Sequence, residues 1–157
     1  MAETKTVSNK SFKEYLVEFE KQLEDIFGKK APALPENVKE FIVKYGPYIT
    51  LVMLVLALPP VIALLGFGSL ASPLLALGGV SAFTGFSLAI IFLIISLVLE
   101  ALALPGLFKR SIAGWRYMFY ATLVNAVYSL LSGSLGSLII GTAISFYFLF
   151  QIKSYYN

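Results

Sequence analysis

Few residues in this chain are suited to chemistry. The sequence has 157 residues, with no His and no Cys. Nucleophilic and general acid-base catalysis usually rely on His, Cys or paired acids, and zinc sites need His or Cys. We therefore predict no enzymatic activity, no catalytic residue, no metal site and no cofactor. After Gly46 only five charged residues remain, and they are Glu100, Lys109, Arg110, Arg116 and Lys153.

Glu100 is the only acidic residue in this second part of the chain. A carboxylate inside a membrane segment is a candidate for cation binding or proton transfer. The alternative is a structural ion pair with Lys109, Arg110, Arg116 or Lys153, which follow in the chain. We favour the ion pair, because Glu100 is expected only about one helical turn from the end of its segment.

Asn125 belongs to a row of small or polar residues at every fourth position. Such spacing places them on one helix face, where small residues let two helices approach closely in a membrane. We predict that two such rows face each other, with Gly141 at a close contact and Asn125 hydrogen-bonded near Ser145; coordination of a substrate or ion by Asn125 is the alternative. The rows are Ala121, Asn125, Ser129, Gly133 and Ser137, Gly141, Ser145.

The pair Pro59-Pro60 removes two backbone donors from an apolar segment. A broken helix at membrane depth can line a cavity or a transport site. A simple kink is the alternative, and we favour it.

The basic loop Lys109, Arg110 and Arg116 either sets orientation or binds lipid phosphate. The glycines do not follow a phosphate-loop pattern. We predict no nucleic-acid partner.

Composition places the chain in the membrane. Hydrophobic residues make up 58%, charged residues 13%, and the mean hydropathy is +0.82. About 20 apolar helical residues cross a bilayer. We predict an all-α polytopic protein with four transmembrane helices, near residues 48–67, 82–104, 115–131 and 136–152. The Gly-rich segment 68–81 is expected to be a loop that lies on the outer surface or re-enters the bilayer.

The first 45 residues follow a different pattern. They hold eight Lys and eight Asp or Glu. Ser11 and Glu14 form a capping-box signature before apolar residues at helical spacing, which predicts an amphipathic helix over 11–27 that stops near Gly28. We expect a cytoplasmic helical region, 1–45, and a membrane domain, 46–157, with the boundary at Gly46-Pro47.

Charge predicts topology, because Lys and Arg accumulate in cytoplasmic loops. With four spans, the N-terminal region, the loop 105–114 and the C-terminus share one side, and those segments carry almost all of the charge. The loops 68–81 and 132–135 carry none. We expect a multi-pass protein of the cytoplasmic (inner) membrane with both termini in the cytoplasm.

The C-terminal part of the chain resembles a known group of proteins. Its segments LEALALPGLFKR (99–110), NAVYSLL (125–131) and FQIKSYY (150–156) are similar to those of small multi-span membrane proteins of reduced-genome bacteria. The resemblance covers the last third to half of the chain. It implies a helical membrane protein and brings no activity or site.

The favoured interpretation is a non-enzymatic membrane scaffold or accessory subunit that assembles with itself or with another membrane protein in the lipid bilayer. The alternative is a small oligomeric transporter or channel subunit with a path near Pro59-Pro60, Glu100 and Asn125. A continuous polar cavity reaching mid-membrane would favour transport. A dry core with an exposed cytoplasmic groove would favour the scaffold.

Overall fold

A computed structural model of the chain describes residues 11–77 and 80–157, with side chains outside 67–76 and 80–83. This part is helical, and it contains no strand. The α-helices are α1 (Phe12–Leu23), α2 (Glu36–Leu77), α3 (Val80–Phe108), α4 (Ile112–Leu131) and α5 (Thr142–Gln151). Two π-helical segments, Glu24–Lys30 and Ser137–Gly141, precede α2 and α5, and a short 3₁₀ turn, Lys153–Tyr155, follows α5.

The predicted capping box begins α1. The Ser11 backbone N–H donates to Glu14 Oε2 at 2.9 Å, and the Ser11 side chain accepts from the backbone three residues on. The chain stays helical two residues past the predicted stop near Gly28, as a π-helix to Lys30. The non-helical linker is therefore only 31–35.

Helix α2 is continuous for 42 residues, through both Gly46-Pro47 and Pro59-Pro60. The expected loop at 68–81 is also wrong, since α2 runs to Leu77 and α3 starts at Val80. Gly78-Gly79, which belong to the same predicted loop, lie outside the described residues. An apolar environment explains the helix, because backbone groups without water must bond within their own segment. The division into regions 1–45 and 46–157 stays a prediction.

Three helices of the described chain are long and apolar enough to cross a membrane: Glu36–Gly66, Thr84–Phe108 and Ser137–Tyr155. Helix α4, which contains the predicted third span, is not among them. It carries Arg116, Thr122, Asn125 and Ser129 among its apolar residues, and these polar side chains lower its mean hydropathy.

Helices α3 and α4 meet at two glycines. A Cβ on Gly106 would lie 2.5 Å from Gly114 Cα, and a Cβ on Gly114 would clash with the backbone carbon of Gly106. Helix α3 continues past Pro105 to Phe108, whereas the sequence predicted a span that ends near residue 104. The backbones therefore touch at a place that the small-residue rows did not predict.

The backbone of Asn157 is hydrogen-bonded to the residues that join α3 to α4. The Ile112 N–H donates to the Asn157 carbonyl at 2.9 Å, and the Asn157 N–H donates to the Arg110 carbonyl at 3.0 Å. The end of α3, the start of α4 and the C-terminus are therefore held together.

An aromatic core lies next to this junction of α3, α4 and Asn157. Trp115 and Phe119 on α4 are fully buried, and their rings stack at 5.6 Å between centroids. Phe146 and Phe150 of α5 pack against them, at 5.8 Å from Phe119 and 5.2 Å from Trp115 respectively. Trp115 Nε1 donates to the Leu149 carbonyl at 2.7 Å, which satisfies one of the acceptors left open at the end of α5.

The N-terminal region docks on this core. Lys153 Nζ bonds Glu20 Oε1 at 2.8 Å and Glu24 Oε2 at 2.7 Å, and Arg116 Nε lies 3.9 Å from Glu20 Oε2. The buried Gln151 amide donates to the Phe27 carbonyl and accepts from the Leu34 N–H. Helix α1, the π-helical segment and the linker are thus fastened to α5.

Candidate functional site

A cavity of about 520 Å³ lies between α3, α4 and the chain from Ser137 to Ser145. We call it the polar groove, because ten of its thirteen lining residues carry a hydroxyl, an amide or a carboxylate. The lining residues are Glu100, Met118, Ala121, Thr122, Asn125, Tyr128, Ser129, Ser132, Ser134, Ser137, Gly141, Thr142 and Ser145.

The two small-residue rows form opposite walls of the polar groove. They touch near the turn that joins α4 to the next helix, where the Ser129 and Ser137 hydroxyl oxygens lie 3.3 Å apart. Farther along, they separate. A Cβ placed on Gly141 would meet only Ser137 Oγ, at 3.8 Å.

Gly141 is therefore not at a close helix contact, and this detail of the prediction is wrong. The aromatic core supplies the reason. Phe119 and Phe146 hold α4 and α5 apart at one end, so the small residues beyond them line a gap instead of a seam. The π-helical segment Ser137–Gly141 lies on the wall of this gap, and such segments often occur at functional sites.

Asn125 lies in the middle of the α4 wall. Its Nδ2 donates to the Ala121 carbonyl of its own helix at 3.1 Å, not to the helix opposite. In the described structure its side-chain oxygen has no hydrogen-bond partner, and the residue is exposed to the groove. Asn125 and Ser145 line one cavity but are not bonded to each other, so the predicted hydrogen bond across the helix pair is wrong.

Glu100 is the carboxylate of the polar groove. It is half-buried on α3 and forms no ion pair with any cation of the described chain. The favoured prediction of an ion pair is therefore wrong. The physical reason is competition, because Lys153 is bonded to Glu20 and Glu24, and Arg116 faces Glu20.

Ser96 extends the polar face of α3 by one turn. It is 5% exposed, and its hydroxyl has no hydrogen-bond partner among the described residues. Ser96 lies four residues before Glu100 and four after Phe92, whose ring is 5.6 Å from the Tyr128 ring on α4. Sequence analysis missed Ser96, although its spacing from Glu100 was the signal that could have found it.

The other predicted residues lie elsewhere. Pro59 and Pro60 are exposed within the continuous helix α2 and do not line the polar groove. Lys109 and Arg110 form the turn between α3 and α4, and Arg110 takes a left-handed backbone with φ 53°. Arg116 is directed toward α1.

The donor set of the polar groove limits its chemistry. It offers one carboxylate, one amide oxygen and several hydroxyls, which are the oxygen ligands that Na⁺, K⁺ and similar hard cations accept. Within the described residues, no three His, Cys, Asp or Glu side chains come together to hold a metal ion. The groove is therefore suited to weak, transient coordination.

Comparison of the chain with protein-family models, with curated proteins and with solved structures gives no match. The similarity to small multi-span proteins of reduced-genome bacteria stays a prediction.

Proposed function

We propose that the protein is a subunit of an oligomeric transporter or channel for a small cation, and that the polar groove forms its path. One observation carries this proposal: a cavity between helices of a membrane protein is lined by Glu100, Asn125 and eight hydroxyl-bearing residues. Charged and polar residues are costly inside a membrane, and they commonly mark ion and substrate pathways.

The proposal includes four spans. Helix α3 and the segment Ser137–Tyr155 are apolar enough to cross, and their ends are joined by the hydrogen bonds of Asn157 to Arg110 and Ile112. If α3 and the segment Ser137–Tyr155 both cross the membrane and end at the same face, the chain between them, which contains α4, has to cross in the opposite direction. The 20 residues of α4 span about 30 Å, the thickness of the hydrocarbon core. Charge sorting supports a cytoplasmic location for that face and for both termini.

The proposal also includes self-assembly. Asn125 and Ser145 are exposed in the single chain, so the polar groove opens to one side. Facing lipid, the Asn125 side-chain oxygen and the Ser145 hydroxyl would lack partners. A second copy placed over the opening would shield them and leave a hydrated path between two subunits.

Glu100 is the expected cation ligand. A carboxylate without a protein counter-ion binds a passing cation and releases it, whereas one held in an ion pair would be blocked. Asn125 contributes the unused amide oxygen on the opposite wall.

Cation flux into liposomes containing the purified protein tests the proposal. We expect flux of Na⁺ or K⁺ from the wild type, and at least a tenfold reduction, on the order of 1.4 kcal/mol, for Glu100→Gln. Glu40→Gln is the matched control, since Glu40 is an exposed acid that does not line the polar groove. Flux that is equal in the wild type and Glu100→Gln, or no flux of any monovalent cation, would overturn the proposal.

The scaffold or accessory subunit is the second candidate function. It is favoured by the exposed aromatic side chains of α1, where Phe12 is 74% and Tyr15 is 56% exposed although the helix is docked. A protein that conducts no cation but forms a defined complex through these two residues would fit the scaffold. Loss of that complex in Phe12→Ser/Tyr15→Ser would then be expected.

A further inference from the structure

A second cavity, of about 360 Å³, lies between the first turns of α2 and the turn that joins α3 to α4. Its floor is apolar and closed, because Val43, Pro47 and Leu107 are buried. Tyr48 and Phe108 meet edge to face at 5.1 Å on one wall. The cavity is thus built between two helices and does not belong to the polar groove.

The rim of this cavity is basic. Lys44 and Arg110 line it from opposite elements, and no acidic residue lines it. Neither cation has an acid within ion-pair distance in the described chain. By contrast, Lys29, Lys39 and Lys153 each bind a carboxylate of their own. The rim therefore lacks the counter-charge that neighbouring lysines have.

Backbone geometry fixes the position of Arg110. Its φ of 53° is in the left-handed region that residues other than Gly rarely adopt. The Arg110 N–H donates to the Leu107 carbonyl at 3.1 Å, and the Arg110 carbonyl accepts from the Asn157 N–H at 3.0 Å. The Asn157 backbone thereby holds the turn in a conformation that places Arg110 at the cavity.

The position along the helices matches a membrane interface. Helix α3 ends at Phe108, and Tyr45 and Tyr48 border the cavity at the same level. Tyrosine is enriched where hydrocarbon meets headgroups, and Lys and Arg near membrane ends attract anionic lipids.

We propose that this cavity is a binding site for an anionic phospholipid, with the lipid phosphate between Lys44 and Arg110. The tyrosines border the glycerol region, and the acyl chains run along the exposed apolar surface of α2, where Leu51 and Val52 follow. Free inorganic phosphate has the same phosphate chemistry, but it would leave the apolar floor and wall of the cavity exposed to water. The cavity therefore favours a lipid. This site is independent of the proposed cation path.

Lipid retention by the full-length protein tests the site. Native mass spectrometry of detergent-solubilised protein is titrated with phosphatidylglycerol, with phosphatidylcholine or with inorganic phosphate alone. The variant is Lys44→Gln/Arg110→Asn, because Asn tolerates a left-handed backbone and the turn should keep its fold. The control is Lys13→Gln/Lys109→Gln, which removes the same charge from residues that do not line the cavity.

We expect the wild type to retain phosphatidylglycerol, with an affinity at least about tenfold higher than that of Lys44→Gln/Arg110→Asn. The control should stay within about twofold of the wild type, and phosphatidylcholine should bind more weakly than phosphatidylglycerol. If both double variants lost phosphatidylglycerol affinity equally, binding would depend on the overall surface charge and the proposed site would be overturned. Binding of inorganic phosphate with no preference for the lipid would overturn the lipid assignment. Comparison of Arg110→Lys with the wild type provides a second measurement, in which retained charge should keep most of the lipid bound.

Discussion

Two glycines set the spacing between α3 and α4 at the residue scale. Gly106 and Gly114 approach so closely that a single added carbon on either would fall inside the other's backbone. Small residues at such crossings give van der Waals contact that lipid chains cannot replace. The contact lies beside the turn that carries Arg110 and beside the buried Trp115, so it also positions the start of α4.

We predict that Gly106→Ala and Gly114→Ala each lower stability by about 2 kcal/mol, because overpacking against backbone forces the helices apart. The measurement is the thermal unfolding midpoint in detergent. Gly141→Ala is the control, since its Cβ would meet only a serine oxygen at 3.8 Å. Its midpoint should be unchanged or slightly higher, because Ala is the better helix former. Equal midpoints for all three variants would show that the α3–α4 contact is not close.

Single residues show where prediction from sequence succeeds and fails. The period of four in Ala121, Asn125 and Ser129 predicted that these residues share one helix face, and the structure shows that this face lines the polar groove. The lack of an ion pair at Glu100 within the described residues could not be predicted in this way, because the choice of partner by Lys153 depends on where α1 docks. The Gly106–Gly114 contact was not predicted for a different reason. A glycine beside Pro105 indicates the end of a helix as readily as a close crossing of two helices.

At the scale of elements, Lys153 makes the shortest ion pairs between α1 with its π-helical extension and the rest of the molecule. Lys153 lies between Glu20 and Glu24 and 4.9 Å above the Trp115 ring centroid. Glu20 is buried, so its carboxylate depends on this ammonium and on the more distant Arg116. Breaking a buried pair leaves an uncompensated charge, which costs far more than an exposed pair contributes.

We predict that Lys153→Gln detaches α1 from α5, at a cost of about 3 kcal/mol. Hydrogen exchange over residues 12–30 should accelerate, and emission of Trp115, the only tryptophan, should shift to longer wavelength as water reaches it. Lys21→Gln removes a lysine from α1 itself and should change neither signal, because no acid pairs with Lys21 in the described structure. Exchange that is the same in Lys153→Gln and the wild type would contradict a role for Lys153 in docking α1.

Elements also differ in how well the sequence predicts them. The capping box at Ser11 and the apolar periodicity after it predicted the start of α1, because a cap is a local interaction. The loop at 68–81 was predicted from Gly, Ser and Pro preferences that apply in water. In an apolar environment the backbone keeps its own hydrogen bonds, and α2 continues to Leu77.

At the scale of the whole molecule, polarity is divided between two ends. The end of the molecule on which α1 docks holds the ion pairs of α1, the aromatic core and the basic rim of Lys44 and Arg110. The polar groove extends from Glu100 to the uncharged turn at the opposite end of α4. This arrangement separates the end that carries the ion pairs and the aromatic core from a hydrophilic recess between the helices.

Whether water enters that recess distinguishes a transport path from a dry helix contact. We predict that the Ser145→Cys variant, in membranes, reacts with a charged methanethiosulfonate reagent at least about tenfold faster than Ile144→Cys, because the reactive thiolate forms only in water. The two positions are neighbours at nearly the same depth, but Ser145 lines the polar groove whereas the exposed Ile144 does not. The chain has no Cys, so each variant carries a single reactive site. Equally slow labelling at both positions would mean that lipid or a protein partner fills the groove, and the proposed cation path would then be excluded.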